Sequence, residues 1–224
     1  MYSHLGSDQA GPPPSTPVIF VTDDDASFRT AISRLLRASG YEVETFNSAE
    51  AFLSRGATTK FGCLVLDLHL PGQSGFQLQE TLARAGHDLP VVFVTGVGDV
   101  PQSVRAMKFG AVDFLLKPVA RRDLVDAVER ALGEAAQREA RRAKRERLEA
   151  RLRRLTPRER QVFERVVAGM LNKQIARELG AGLYTIKVHR ARVMQKMEAD
   201  SLTALIRMAD ELALPVSLPG PQGR

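Results

Sequence analysis

The chain has 224 residues, of which 44% are hydrophobic and 26% are charged, a composition typical of globular rather than disordered proteins. Its one cysteine, Cys63, excludes a disulfide framework and a cysteine-based metal cage. No apolar run approaches the roughly 18 residues that a membrane-spanning helix needs, and no signal-peptide core is present. We therefore expect a cytoplasmic protein that has no membrane partner.

Charge is distributed unevenly along the chain. The net charge is +6, yet residues 17–133 carry 12 Lys/Arg against 14 Asp/Glu. Residues 138–165 carry 12 Lys/Arg against 5 Asp/Glu, and residues 166–224 carry 8 against 5. This shift predicts an acidic-to-neutral front module and a basic rear module whose partner is a polyanion.

The front module alternates short apolar runs with helical patterns. Continuous apolar runs of this length are typical of strands buried on both faces of a parallel sheet. We predict such strands at residues 18–21, 63–66, 91–95 and 112–116. Residues 41–45, in which Glu42 and Glu44 alternate with the other side chains, predict a further strand nearer an edge of the sheet. A helix follows each strand, with Asn47 and Asp99 as predicted N-caps and Arg121 as the start of the fifth helix. The alternation predicts a doubly wound parallel α/β sheet with right-handed crossovers.

The rear module is predicted to be all-helical. Residues 134–155 are rich in Ala, Glu and Arg, which favours a helical linker that can be continuous with the fifth helix. Leu148, Leu152 and Leu155 give that linker a weak apolar stripe. Three interpretations of the linker are open: a solvated charged helix, a coil that forms a dimer, or an arm that contacts phosphates. Beyond it, helix signals recur at the caps Thr156, Asn172 and Ser201. A Gly180–Gly182 turn between the second and third of these four helices predicts a helix-turn-helix.

These patterns predict a division of the chain into five segments. We expect a disordered leader at 1–16, an α/β domain at 17–133, a helical linker at 134–154, a helix-turn-helix domain at 155–214 and a flexible tail at 215–224.

Polar side chains follow the predicted strands where each strand ends. Ligands of open α/β sheets bind outside the carboxyl ends of the strands, so Asp67 is placed to meet a ligand there. We predict that Asp67 accepts a phosphoryl group and binds Mg²⁺ together with Asp24, with Asp23 acting through water. Lys117 would neutralise one phosphoryl oxygen, and the hydroxyl of Thr95 would hydrogen-bond another. Each residue alone has a structural explanation, such as a turn or a helix cap, but the combination is hard to reach by accident.

The same residues resemble the receiver domain of two-component response regulators over roughly residues 17–133. The matching motifs are Asp23-Asp24, the Asp67 strand with Pro71-Gly72, Thr95-Gly96 and Lys117-Pro118. The resemblance implies a flavodoxin-like five-stranded sheet and a cis peptide bond before Pro118.

The resemblance to receivers also implies roles for individual residues. Asp67 would be the phosphoacceptor, and the main-chain carbonyl of His69 would join the carboxylates around Mg²⁺. Phe114 stands at the position of an aromatic switch that turns inward when Thr95 engages the phosphoryl group.

The rear module resembles the LuxR-type helix-turn-helix over about residues 155–213, through the motifs 155–159, 172–176, 185–189 and 196–197. Together the two modules resemble a FixJ-like response regulator. We predict that Ile186, Val193 and Met197 point inward from the third helix of the module. The outer face can then enter the major groove of DNA, and flanking cations can contact phosphates. The predicted DNA-binding residues are Lys173, Tyr184, Thr185, Lys187, Val188, Arg190, Ala191 and Arg192, with Lys196 as a further phosphate contact.

The sequence therefore predicts a transcription regulator rather than an enzyme. A sensor histidine kinase would phosphorylate Asp67, which would control homodimerisation and sequence-specific binding to double-stranded DNA, with RNA polymerase as a further partner. One alternative is a DNA-binding regulator that works independently of phosphorylation. Two others are an RNA-binding antiterminator and a phosphatase that uses Asp67 as nucleophile, although His69 stands where such phosphatases carry an acidic residue.

Overall fold

The chain is described from a computed structural model over residues 16–56, 61–87, 89–96 and 100–214. It divides into two compact units between Glu139 and Ala140. The first unit is α/β and the second is all-helical, which confirms the predicted fold class. The predicted leader, the predicted tail and the predicted cap Asp99 lie outside the described residues, apart from Thr16. None of the helices in the described ranges is long and apolar enough to cross a membrane.

The first unit is built on one parallel sheet. Its strands are β1 (Val18–Thr22), β2 (Glu42–Phe46), β3 (Gly62–Asp67), β4 (Val91–Thr95) and β5 (Asp113–Leu116). Its helices are α1 (Ala26–Ala38), α2 (Ala49–Ser54), α3 (Gly75–Arg84), α4 (Val100–Lys108) and α5 (Arg121–Arg153). The strand order is β2-β1-β3-β4-β5, so the order reverses between β1 and β3. A reversal of this kind opens a crevice at the carboxyl edge of the sheet.

Helices cover both faces of this sheet, which explains why every residue of β1, β3 and β4 is buried. On one face, Ile19, Val65 and Val92 pack with Leu36 of α1 and Leu124 of α5. The opposite face carries the other core cluster, whose largest members include Phe20, Phe52, Leu66, Leu78 and Phe93. Burial on both faces favours continuous apolar runs, because alternate side chains of a strand point to opposite faces.

Local side-chain chemistry sets where the helices begin. Ser48, rather than the predicted Asn47, caps α2, because the Ser48 hydroxyl accepts the Ala51 N–H at 3.1 Å. The predicted cap Asn172 is likewise wrong by one residue. Leu171 occupies the N-cap position of the helix that begins at Asn172 in the second unit. The Asn172 carboxamide oxygen accepts a hydrogen bond from Arg190 and does not cap the helix.

The fifth helix continues through the segment that was predicted as a helical linker. We expected a helix from Arg121 to Leu132 followed by a helical linker that could be continuous with it, and α5 is a single helix of 33 residues. Ala, Glu, Lys and Arg are strong helix formers, and nothing in the sequence after Gly133 interrupts the hydrogen-bond ladder. The segment predicted as a linker is therefore part of α5.

The second unit packs four further helices against the end of α5. They are α6 (Pro157–Val167), α7 (Asn172–Glu178), α8 (Leu183–Met197) and α9 (Leu202–Glu211). Leu148 and Leu152 near the end of α5, and Leu155 just beyond it, are buried in the same core as residues of these helices. The apolar stripe that was a candidate for a dimer coil is therefore buried in the core of this unit. Other members of this core are Val162, Phe163, Ile175, Ile186, Val193, Met197, Leu205 and Ala209.

We predict that Leu152→Ala lowers the stability of the second unit by about 2–5 kcal/mol, because the truncation leaves a cavity in this core. Urea denaturation of the full-length chain, with hydrogen exchange of the α6 and α8 amides, measures this loss. Leu171→Ala is the matched control, since the Leu171 side chain is 69% exposed and should cost less than about 0.5 kcal/mol. Equal effects of the two substitutions would contradict the packing described for α5.

Candidate functional site

Three carboxylates meet at the carboxyl edge of the sheet. Asp23 and Asp24 follow β1, and Asp67 ends β3, beside the point where the strand order reverses. One ligand oxygen from each of the three lies within 4.8 Å of the others. Asp23 and Asp67 are buried, whereas Asp24 is exposed. The predicted convergence of these side chains is therefore present in the fold.

Lys117, which follows β5, reaches into this acidic cluster. Its Nζ donates hydrogen bonds to Asp23 Oδ2 at 2.6 Å and to Asp67 Oδ2 at 2.8 Å. The main-chain N–H of Lys117 donates to the Thr95 carbonyl at 2.8 Å, and the Lys117–Pro118 peptide bond is cis. The ammonium also lies 4.1 Å from the centre of the Phe28 ring. Lys117 thus links the ends of β1, β3 and β4.

Burial and hydrogen bonding shift the pKa values of both Lys117 and Asp23. Burial acts to lower the pKa of Lys117, but the hydrogen bonds to Asp23 and Asp67 outweigh it and raise that pKa. Burial raises the pKa of Asp23, and the hydrogen bond from Lys117 partly opposes this effect. The Lys117 ammonium is therefore strongly retained at neutral pH, where it compensates the buried carboxylates.

The loops around the cluster are held by backbone contacts. The Asp25 N–H donates to Asp23 Oδ1 at 2.9 Å, and the Asp25 carboxylate caps α1. Arg29 of α1 donates to the Asp23 carbonyl at 2.6 Å. Across the crevice, a Cβ on Gly75 would lie 2.4 Å from the Asp67 carbonyl oxygen. Glycine is therefore required where α3 begins, because any side chain there would push the end of β3 away.

His69 and Thr95 meet on the other side of Asp67. The His69 N–H donates to Asp67 Oδ1 at 2.9 Å, and His69 Nδ1 lies 3.0 Å from Thr95 Oγ1. Thr95 is fully buried at the end of β4. Phe114 of β5 is half-buried and packs against the core that contains Phe93. The residues predicted for the receiver site therefore lie at the carboxyl ends of β1, β3 and β4 and on β5.

The donor set fits a hard divalent cation. Mg²⁺ prefers oxygen ligands and is commonly held by one or two carboxylates together with water. Asp23, Asp24 and Asp67 offer carboxylate oxygens only, at spacings that a single ion can bridge. Receiver domains generally bind Mg²⁺ at an acidic pocket of this kind.

Sequence reasoning missed several contacts of this site. Phe28 and Ile32 have the spacing of core residues of a helix, and that pattern assigns Phe28 no place beside Lys117. Arg29 had no predicted role, and only the main-chain carbonyl of His69 was considered. The partners of Phe28 and His69, which are Lys117 and Thr95, are distant in the chain, so no local pattern reveals these two contacts.

The second unit presents its exposed polar face on α8. Ile186, Val193 and Met197 are buried, as predicted from their spacing. Most of the predicted DNA-contacting side chains are exposed, and Tyr184 is the most exposed large hydrophobic residue described, at 79%. The exposed members are Lys173 of α7 and Tyr184, Thr185, Lys187, Ala191 and Arg192 of α8.

Two of the residues predicted to contact phosphates form hydrogen bonds within the unit. Arg190 is half-buried and donates to Asn172 Oδ1 at 3.0 Å, which ties α8 to the start of α7. Lys196 donates to Glu159 Oε2 at 2.6 Å. Val188 is half-buried between the exposed and buried faces of α8. Both charged contacts fix the position of α8, because each joins it to a neighbouring helix.

Comparison with known proteins agrees with the division of the chain into an α/β unit and a helical unit. Residues 19–129 match the response regulator receiver domain, and residues 153–209 match the bacterial regulatory proteins of the luxR family. Nodulation protein W of Bradyrhizobium diazoefficiens is 44% identical over 201 residues, which cover 88% of this chain and 87% of that protein. Transcriptional regulatory protein FixJ of the same organism is 43% identical over 191 residues, covering 85% and 93%.

Solved structures give the same result for the fold. The structure of response regulator StyR shares 45% identity and a TM-score of 0.76, covering 88% of this chain and 100% of that one. Full-length FixJ from B. japonicum shares 41% identity and a TM-score of 0.54, covering 89% and 98%.

Fold, motifs and relatives together define a two-domain regulator of transcription. The chain belongs to the response regulators that join a receiver domain to a LuxR-type DNA-binding domain. The resemblance to FixJ-like regulators that the motifs predicted is confirmed.

The contact between Glu159 and Lys196 makes the stability of the second unit depend on pH. Glu159 is 2% exposed, and it also accepts the Thr156 N–H at 2.8 Å. Burial acts to raise the pKa of Glu159, but the hydrogen bonds from Lys196 and Thr156 outweigh it and lower that pKa. A carboxyl with a lowered pKa in the folded state contributes stability above its unfolded pKa and loses it as the pH falls.

We predict that Glu159→Gln destabilises the second unit by about 1–3 kcal/mol at pH 7. The difference from wild type should shrink as the pH falls below about 4.3, the unfolded pKa of a glutamate. Urea denaturation at a series of pH values measures it. Glu164→Gln is the control, because Glu164 forms an exposed ion pair with Arg160. A difference that stays constant down to pH 3 would show that the carboxylate charge is not the cause.

Proposed function

We propose that Asp67 accepts a phosphoryl group from a phosphohistidine of a sensor histidine kinase. The observation that supports this most directly is the sharing of the Lys117 ammonium by Asp23 and Asp67, with Asp24 beside them. In the transfer, the bond between the histidine nitrogen and phosphorus breaks as a bond from an Asp67 carboxylate oxygen to phosphorus forms. The Asp67 carboxylate lies at the carboxyl edge of the sheet, within hydrogen-bonding distance of the Lys117 ammonium that compensates its charge.

The residues around Asp67 have separate tasks in this proposal. Asp23, Asp24 and Asp67, with the main-chain carbonyl of His69, would hold Mg²⁺, which screens the charge of the incoming phosphoryl group. Lys117 would move from the Asp67 carboxylate to a phosphoryl oxygen, a short displacement because its Nζ is already 2.8 Å from Asp67 Oδ2.

The switch to an active state would begin at Thr95. The Thr95 hydroxyl would donate to a phosphoryl oxygen, and its oxygen can still accept a hydrogen bond from His69 Nδ1, which lies 3.0 Å away. Phe114 on the neighbouring strand would then turn inward, and the surface formed by α4 and β5 would change shape. That surface exposes Val104, Met107 and Leu116, whose side chains are 46%, 51% and 55% accessible. We propose that this apolar surface forms the homodimer of the phosphorylated protein.

The second unit would bind double-stranded DNA through α8. Lys187 and Ala191 are exposed on successive turns, where they can meet base edges in the major groove. Thr185, Arg192 and Lys173 would contact phosphates. Regulation of transcription then takes place in the cytoplasm, with RNA polymerase as the final partner.

We predict that Asp67→Asn prevents the phosphorylation-dependent change in oligomeric state and DNA affinity. Analytical ultracentrifugation and DNA binding, each with and without acetyl phosphate and Mg²⁺, measure the two responses. Wild type should shift toward dimer and bind its operator more tightly, whereas Asp67→Asn should show neither change. Glu80→Gln, which alters an exposed carboxylate on α3, should behave as wild type.

Two outcomes of that experiment would contradict the proposal. If wild type shows no change in either measurement, phosphorylation does not control this protein. If Asp67→Asn binds the operator as tightly as wild type treated with acetyl phosphate and Mg²⁺, the protein binds DNA independently of phosphorylation, which is the alternative that the sequence left open.

We predict different effects for two lysines of the second unit. Lys187→Ala should weaken operator binding and reduce discrimination against altered base pairs, at a cost of about 1–3 kcal/mol. Lys173→Ala should weaken binding to all duplexes similarly. It should also reduce the slope of log affinity against log salt concentration by about one, because one fewer phosphate is neutralised. Fluorescence anisotropy with operator and scrambled duplexes over a range of salt measures both. Arg207→Ala on the exposed side of α9 is the control, and an equal loss there would mean that net charge alone drives binding.

A further inference from the structure

The immediate surroundings of the Lys117 ammonium include a group that none of the roles above uses. A lysine ammonium has three N–H donors and no acceptor. Two hydrogen bonds go to Asp23 and Asp67, and the ammonium also lies 4.1 Å from the centre of the Phe28 ring. Such a distance is well within the roughly 6 Å over which an aromatic face attracts a cation.

The cation–π contact differs in kind from the two hydrogen bonds. Phosphoryl transfer and cation binding both act on the carboxylates of Asp23 and Asp67, so the hydrogen bonds of Lys117 must rearrange during the reaction. The Phe28 ring takes no part in that chemistry. Of the three described partners of the Lys117 ammonium, Phe28 is therefore the one whose chemistry does not change on phosphorylation.

The physical character of the ring suits this task. An aromatic face attracts the ammonium through its quadrupole, and it offers no lone pair that would compete with a phosphoryl oxygen. A small displacement of the ammonium weakens this attraction only gradually, whereas a hydrogen bond weakens steeply when its angle changes. Phe28 can thus keep Lys117 near Asp67 while the ammonium changes partners.

The position of Phe28 is set by the start of α1. The Asp25 carboxylate caps this helix and accepts the Phe28 N–H at 3.2 Å. The next residue, Arg29, donates to the Asp23 carbonyl, which fixes the same turn to the acidic loop. The half-buried Phe28 side chain packs beside the core on the α1 and α5 face of the sheet. The loop that carries Asp23 and Asp24 therefore also carries the ring for Lys117.

We propose that Phe28 is a positioning residue for Lys117, whose ring face holds the ammonium beside Asp67 while the hydrogen-bond partners of Lys117 change from carboxylates to the phosphoryl group. This inference rests on the proposed function of Asp67 as phosphoacceptor.

The test compares full-length Phe28→Leu and Phe28→Tyr with wild type. Leucine keeps an apolar side chain but removes the aromatic face, whereas tyrosine keeps that face. Beryllofluoride, which binds an aspartate carboxylate as a mimic of the phosphoryl group, is titrated in saturating Mg²⁺. We expect Phe28→Leu to weaken beryllofluoride binding by about three- to thirtyfold, and Phe28→Tyr to remain within about twofold of wild type. Mg²⁺ affinity, measured without beryllofluoride, should change less than about twofold in both.

Two controls separate positioning from packing. Phe61→Leu truncates a half-buried phenylalanine before β3, at the opposite end of that strand from Asp67, and should bind beryllofluoride as wild type does. In a double-mutant cycle, Phe28→Leu should cause no further loss in a Lys117→Met background, since the ring then has no ammonium to hold.

Each possible result decides one of the two proposals. If wild type does not bind beryllofluoride, the proposed function of Asp67 is wrong. If wild type binds and Phe28→Leu binds equally well, the role of Phe28 is wrong and the proposed function stands. If Phe28→Tyr is weakened as much as Phe28→Leu, or if the loss persists in the Lys117→Met background, Phe28 acts through packing and the positioning role is overturned.

Discussion

Asp23 and Asp67 share one ammonium group, that of Lys117, at the carboxyl edge of a buried sheet. Bringing carboxylates out of water is costly unless a cation and hydrogen bonds compensate them. The arrangement of the first unit follows from this constraint. The strand order brings the ends of β1 and β3 together, the end of β5 supplies the lysine, and Gly75 leaves the end of β3 room beside α3.

Compensation by a single ammonium also means that a chemical change at either carboxylate would alter the hydrogen bonds of Lys117. Lys117 compensates the buried carboxylates, and in the proposed reaction its hydrogen bonds would rearrange when the Asp67 carboxylate becomes an acyl phosphate. His69 and Thr95 both flank Asp67, so we propose that the same event would affect the contact between them. A covalent change at one oxygen can therefore alter contacts on three strands without a large movement of the backbone.

The second unit depends on a similar use of charge, although here the charges serve to fix a helix. Arg190 bonds to Asn172 of α7, and Lys196 bonds to the buried Glu159 of α6. Both contacts hold α8 while leaving other cations, such as Lys187, exposed. Cations within one helix thus divide between those that position it and those available to a polyanion.

The sequence predicted the architecture well because strand burial and helix capping are local signals. Apolar runs that end in Asp23, Asp67 and Thr95 were sufficient to predict a parallel sheet and a shared edge. The boundaries were less predictable, since Asn47 and Ser48 are both good caps and only the backbone conformation selects Ser48. The sequence left open whether the linker continues α5, and the burial of the leucines near the end of this helix could not be predicted because it depends on helices that follow.

Contacts between distant residues were the least predictable part of the site. Phe28 looked like a core position, and nothing near it in the chain indicates that Lys117 lies over its ring. Arg190 and Lys196 looked like phosphate contacts, because the partners that occupy them come from other helices. Periodicity shows which face of a helix is buried, but it does not show which long side chains turn back to bond a neighbour.

The most direct test of the central claim is to locate the phosphoryl group. The full-length protein is incubated with acetyl phosphate and Mg²⁺, the acyl phosphate is reduced with borohydride, and the modified residue is identified by peptide mass spectrometry. The account predicts modification at Asp67. Modification at Asp23, Asp24 or a residue outside the cluster, or an unmodified Asp67 under conditions in which a known receiver is modified, would contradict it.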